Sequence, residues 1–437
     1  MPTKKTPALQ AFFDLVDQHD SGGTPGLASI CSAHPWVIRA SLEEAQDRTG
    51  PVVIEATCNQ VNQDGGYTGM TPVDFRDFVW QIAAECGFDT GRILLGGDHL
   101  GPNPWRDEPA DVAMDKAQVM VFNYAKAGFS KIHLDASMAC ADDPTPLPPK
   151  VVAQRAAALA ARAEAGAVAG AHPKPGYIIG TEVPVPGGAT HALDAITPTR
   201  AADAAETIEL HQASFNARGL GDVLARVVGI VVQPGVEFGH SDVIRFDAGA
   251  AAGLVDWRRQ RGGIVFEAHS TDYQTAHDLR ALVTGGFAIL KVGPGLTFAM
   301  REALYGLDNI AGVLVKDYAA GSLPEAMEAL MLDDPADWRP YYGGSGGEAA
   351  IQRHFSYSDR IRYYWGRPAA RKAVDDLMHA LGDREIPETL ISQFLSRCYD
   401  DAACGRVGRR ALDLVLAHTK TAIAPYTFAC ETAQITG

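Results

Sequence analysis

Between Gly26 and Val292 the chain repeats one unit eight times: a short apolar run, a break, then a helical pattern. The runs are 26–32, 52–57, 92–98, 131–135, 177–183, 227–233, 264–269 and 288–292. Helical stretches follow at 35–48, from Thr71-Pro72, and at 111–127, 149–167, 199–218, 247–260 and 273–283; a last one begins near Leu296. Pro just inside a helix start suits its fixed φ, and the alanine-rich stretch 153–169 is a strong helix former. Apolar strands alternating strictly with helices dictate a parallel sheet covered on its faces. Eight such units predict a (β/α)8 barrel. A doubly wound open sheet is the alternative, but it favours a Gly-rich first turn, and no GxGxxG occurs.

After about residue 310 the alternation stops and helical patterns take over, at 323–332, 348–354, 359–364, 367–381, 388–399 and 409–424, the last expected to stop at Pro425. The chain therefore divides into a barrel with a short N-terminal amphipathic helix, 1–310, and a helical C-terminal extension packed on it, 311–437. A formal charge of −15 argues against a phosphate-backbone partner. No apolar run approaches the roughly 20 residues that span a bilayer. The lysines near the N-terminus precede no apolar segment, so no secretory signal is expected. Seven scattered cysteines without a CxxC pair suit reduced thiols in the cytoplasm.

In a barrel, catalytic groups project from the C-terminal ends of strands. Those ends are unusually polar here. The second strand ends in Glu55, Thr57 and Asn59, which share one face by period two. The third ends in Asp98-His99, between Gly96-Gly97 and Gly101-Pro102. The fourth carries Lys131, His133 and Asp135, and the fifth ends in Glu182. The sixth runs on to Gln233, Glu237 and His240; the seventh ends in Glu267 and His269, followed by Ser270-Thr271-Asp272; the eighth carries Lys291. Polar groups this dense need partners, ligands or water. That points to an enzyme.

His99, His240 and His269 suit a divalent metal such as zinc, with Glu182 as an alternative ligand. Each histidine alone reads equally as a satisfied loop or core residue, and Asp98 alone as a helix cap. His133 with Asp135 is open between a substrate contact and an internal pair. Lys131 and Lys291 either neutralise carboxylates or form a Schiff base with a ketose. Without a GxxxxGK[ST] loop, kinase chemistry loses weight. The turn 293–297 offers backbone N–H groups at a helix start, a generic anion site.

The stretches GGDHLGPNPW (96–105), KIHLDAS (131–137), GTEVPVPGG (180–188), QPGVEFGH (233–240), EAHSTDYQT (267–275), LKVGPGLTFAMREALYGL (290–307) and FSYSDRIRYYW (355–365) resemble the Z-subunit family of tagatose-bisphosphate aldolases. That family is in turn similar to class II, zinc-dependent ketose-bisphosphate aldolases. The resemblance implies a barrel of the class II aldolase type, with Asp98 as proton donor or acceptor and His99, His240 and His269 as metal ligands. It also implies two candidate roles: a non-catalytic partner of an aldolase catalytic subunit, or a ketose-6-phosphate 4-epimerase interconverting D-tagatose 6-phosphate and D-fructose 6-phosphate. In the second role Asp98 or Glu182 would handle the C4 hydroxyl proton, with assembly as a homo-oligomer expected. The chain departs from the aldolases where they hold a 1-phosphate. It has Ser270-Thr271-Asp272 instead of glycines, and Gly293-Pro294-Gly295-Leu296-Thr297 instead of an Asn-x-x-Thr turn. A carboxylate at Asp272 would repel phosphate. The expected substrate has a free hydroxyl at C1 and a phosphate at C6, held by Arg360 or Arg362 with Ser356 or Ser358.

Overall fold

The computed structural model describes residues 5–181 and 196–431. Eight parallel strands close into a barrel: β1 Leu27–Cys31, β2 Val52–Thr57, β3 Ile93–Leu100, β4 Lys131–Leu134, β5 Gly176–Ile179, β6 Val227–Val231, β7 Val265–Ala268 and β8 Ile289–Val292. Each strand pairs with its successor, and β8 returns to β1 in the register Leu27 to Ile289 through Ile30 to Val292. The (β/α)8 expectation holds, and the open sheet is set aside by that closing pair.

The lower end of the barrel is plugged. Thr6 caps the helix Pro7–Asp20 by accepting from Leu9 N–H. Its buried face, Leu9, Phe12 and Leu15, packs on Leu94, Ile178, Val228, Val265 and Ile289. A buried aromatic such as Phe12 contributes about 1.5–3 kcal/mol. Gly176 admits it: a Cβ there would stand 2.7 Å from the Phe12 ring.

Three expectations change. Strand six stops at Val231, because the Gln233 side chain accepts from the N–H groups of Gly235 and Val236 and turns the chain. Glu237–Phe238 then pairs antiparallel with Val243–Ile244 as a small hairpin over the barrel mouth. The helix expected at 359–364 is a single tight turn, Arg360–Tyr363, entered through Asp359 at φ 44°. The final helix does not stop at Pro425 but runs from Ala411 to Cys430. Pro inside a helix costs about 3 kcal/mol. Packing offsets that cost: Ile423, Tyr426 and Ala429 are buried on both sides of it, and Gly26 N–H donates to Cys430 O at 3.0 Å. This helix lies against the barrel helices Pro35–Glu44, Ala276–Thr284 and Pro294–Leu314. No helix among the described residues is long and apolar enough to cross a membrane. None of the seven cysteines is paired.

Candidate active site

A charged layer crosses the barrel axis below the mouth. Lys131, fully buried, donates to Glu55 at 2.6 Å and reaches Glu267 at 2.9 Å. Gly96 on β3 makes room for it, since a Cβ there would sit 2.4 Å from Glu55 Oε1. Burial alone would lower the lysine, but the two glutamates raise it to about 12. Burial likewise pushes Glu267 up, and Lys131 with the His269 hydrogen bond pulls it well below the usual carboxylate range. Lys131 therefore neutralises carboxylates and is sealed from the pocket. Glu267 Oε1 stands 3.0 Å from His269 Nε2, and a carboxylate accepts, so Nε2 carries the proton and Nδ1 presents the lone pair.

Above that layer the ends of β3, β4 and β7 bring four groups together. Asp98, His99, His133 and His269 each offer one ligand atom, all within 4.8 Å of one another. His133 Nε2 faces Gly180 O at 3.1 Å and must donate to it, so its Nδ1 is the acceptor. That Nδ1 has a single lone pair, and it faces both His99 N–H at 3.2 Å and Asp98 Oδ1 at 2.9 Å, so it cannot be spent on the N–H and also meet a cation beside Asp98. Two lone pairs at that separation need a proton or a cation between them. Burial lowers His133 to about 4, so its ring does not readily supply the proton. His99 Nδ1 bonds Asp135 Oδ2 at 2.8 Å, while its Nε2 is buried without a hydrogen-bond partner among the described residues. Around the axis four carboxyl groups (Glu55, Asp98, Asp135, Glu267) meet two ammonium groups, Lys131 and Lys291. The donor set, the buried orphan nitrogen and the excess of carboxylates all fit a divalent cation.

Local backbone supports this arrangement. His99 and Ser270 both adopt left-handed φ, 48° and 50°, a conformation that costs about 1–3 kcal/mol and concentrates at functional sites. At Gly101 a Cβ would overlap the Asp135 carbonyl oxygen at 1.6 Å, so only glycine lets β3 turn so close to the end of β4.

The pocket above is lined by Asn59, His99, Asp135, His269, Ser270 and Asp272, together with Lys291 and Arg362. Asp98 lies behind Lys291 and is in contact with it. Ser270 Oγ donates to Glu237 Oε2 at 3.2 Å. Asp272 Oδ1 accepts from Gly293 N–H at 3.0 Å and Gly295 N–H at 2.7 Å. The anion-binding turn expected at 293–297 is thus occupied by a side chain of the chain itself.

Several expected residues do not converge. His240 belongs to the hairpin after β6, not to a strand end; its Nδ1 bonds Ser356 Oγ at 3.0 Å and its ring packs edge-on against Tyr342. His133 stands in the cluster instead. Arg360 turns from the pocket, donating to Asp337 O with its guanidinium over the Tyr341 ring. Ser356 and Ser358 bond each other at 2.9 Å and face His240 and Tyr342. Of the expected phosphate group only Arg362 lines the pocket. Glu182 lies outside the described residues. Among the lining residues not singled out from the sequence are Tyr67 and Tyr363, whose rings meet edge-on at 4.9 Å. The available signals were a tyrosine in the Gly-rich turn after β2 and another beside Arg362.

A (β/α)8 barrel with a carboxylate–imidazole cluster and a lysine at its C-terminal mouth defines the class: a barrel with an enzyme-like polar site. The family model described as D-tagatose-1,6-bisphosphate aldolase subunit GatZ/KbaZ-like matches residues 12–431, and the chain belongs to that family. A D-tagatose-1,6-bisphosphate aldolase subunit GatZ of Salmonella dublin is 48% identical over 417 residues, 95% of this chain and 98% of the relative. A D-tagatose 6-phosphate 4-epimerase of Agrobacterium fabrum is 52% identical over 408 residues, 92% and 96% of the two chains. A crystal structure described as a probable tagatose 6 phosphate kinase from Sinorhizobium meliloti is 54% identical, with TM-score 0.86, over 93% of this chain and all of the other.

Proposed function

We propose that the protein is a metal-dependent ketose-phosphate epimerase that interconverts D-tagatose 6-phosphate and D-fructose 6-phosphate by inversion at C4. The observation that carries this reading is the cluster of Asp98, His99, His133 and His269 opening on a pocket that Lys291 also lines. A scaffold has no physical need for such a cluster, and one relative at 52% identity bears the epimerase name.

C4 is not adjacent to the C2 carbonyl, so simple enolisation cannot invert it. Cleavage and re-formation of the C3–C4 bond can, if the aldehyde fragment turns in between. A divalent cation, zinc by preference, held by the three histidines with Asp98 would supply charge stabilisation at the C2 oxygen. Lys291 adds a positive charge at the same mouth and favours the developing oxyanion. Asp98, paired with Lys291, would exchange the C4 hydroxyl proton through that ion pair. Glu182 is the other candidate for this proton. Arg362 and the Tyr67–Tyr363 pair offer a charged, walled end for the 6-phosphate.

The test is incubation of the purified protein alone with D-tagatose 6-phosphate, with added zinc and with a chelator. Fructose 6-phosphate should form with zinc and fall away with chelator. Its absence in both arms would sink the reading. Trapped triose fragments support cleavage, whereas hydride exchange with added nicotinamide cofactor contradicts it. The subunit names of several relatives favour a second reading, a stabilising partner of a class II aldolase catalytic subunit. A kinase reading would follow from the name of the Sinorhizobium protein, but the sequence has no phosphate-binding loop to support it.

A further inference from the structure

The helix Pro294–Leu314 begins at the barrel mouth, with Gly293 and Gly295 directing their N–H groups to one point. Backbone N–H groups at the start of a 21-residue helix form a strong seat for an anion. Here Asp272 fills it. The carboxylate is 3% exposed, lines the pocket, and places one oxygen on both N–H groups. The seat is built around it: a Cβ on Gly295 would stand 3.0 Å from Asp272 Oδ1. Asp272 is itself held, because Thr271 just before it donates to Lys291 O at 2.6 Å and receives Tyr426.

We infer that Asp272 is a specificity-determining residue: a built-in anion that occupies this seat, closes that end of the pocket to a phosphate, and selects substrates whose corresponding end is an uncharged hydroxyl. The exclusion is double. The N–H donors a phosphate would need are already bonded, and the carboxylate adds like charge beside the intruder. The selected class is monophosphorylated ketoses with a free C1 hydroxymethyl group, which rests on the epimerase reading above. The seat itself is latent: removing the side chain leaves two N–H donors facing the pocket.

Binding rather than turnover tests this. Wild-type protein, Asp272→Ala and Asp272→Asn are titrated with inorganic phosphate by calorimetry. Asp272→Ala should bind one more equivalent of phosphate than wild type. Asp272→Asn should bind less of that extra phosphate than Asp272→Ala, because its amide oxygen still caps both N–H groups; an equal gain in both variants would overturn the occupancy of the seat, and no gain in either would overturn the assignment. In wild-type protein, a ketose 1,6-bisphosphate should compete for the pocket at least about tenfold less well than the matching 6-phosphate, the scale of one displaced charge-assisted hydrogen bond. Equal competition overturns the inference even if neither variant folds. A protein that shows these binding differences but no epimerisation keeps this assignment and loses only the proposed reaction.

Discussion

His99, His133 and His269 hold each other at ring separations of 4.9–5.4 Å, whereas His240 faces Ser356. The two kinds of histidine are therefore separable by mutation. Alanine at His99 or His269 should weaken cobalt or zinc binding by at least about a hundredfold, with a lesser loss of ~10–100-fold when only an orienting group such as Glu267 is changed. His240→Ala should leave cation affinity within about threefold, read by calorimetry or cobalt absorption. Lys131 answers to a different measurement. Its replacement by Met leaves Glu55 and Glu267 buried without their counter-ion, so unfolding in urea should show a loss of about 3–5 kcal/mol. The position of Asp98, His99 and His269 at the barrel mouth was legible because each ends or directly follows an apolar run short enough to be a buried strand. His240 was expected where the sixth strand runs on past Gln233, but that strand ends at Val231 and the Gln233 side chain turns the chain aside, which carries His240 to Ser356. His133 could not be decided from the sequence. Its partner is Asp98, 35 residues away, rather than Asp135 two residues on.

At the scale of elements, the turn 356–363 is fastened to the helix Pro294–Leu314. Asp359 accepts from Thr297 Oγ1 at 2.6 Å and meets the buried Arg301. Burial raises Asp359 to about 6 against the opposing pull of Arg301. The folded chain then holds this proton more tightly than the unfolded chain, whose carboxylate titrates near 3.9. The associated stability is complete below about pH 4 and is lost as pH rises through 6. The melting temperature of the wild type minus that of Asp359→Asn should fall between those values and level off above. A difference independent of pH across that window would contradict the placement of Asp359. The eight barrel strands were legible here because alternation is a property of each element alone. The hairpin after β6 and the tight turn at Arg360 were not, because both depend on side chains reaching across to other segments. Pro425 shows the limit most plainly: a local rule costing about 3 kcal/mol yields to burial on both of its flanks.

At the scale of the molecule, the barrel and the region after residue 314 share one wall. The helix Ala411–Cys430 rests on three barrel helices, and its Tyr426 hydroxyl donates to Thr271 O at 2.7 Å, beside Ser270 and Asp272. Tyr426→Phe should cost about 1 kcal/mol of stability and weaken ligand binding in the pocket, read by urea unfolding and by competition titration. A chain cut after Arg410 should lose cooperative unfolding altogether, since β1 and the helix Pro35–Glu44 would then expose the surface that this helix covers.

The seam between Gly26 and Cys430 also bears on how the molecule is made. A chain emerging from the ribosome presents β1 almost at once, but its outer cover arrives some four hundred residues later, the separation of that bonded pair. Until residues 411–430 emerge, the segment carrying Ser270 and Asp272 lacks its brace. Prematurely terminated or clipped chains are therefore expected to be substrates for chaperones and proteases rather than weakly active copies, so that measured activity reports on intact chains alone.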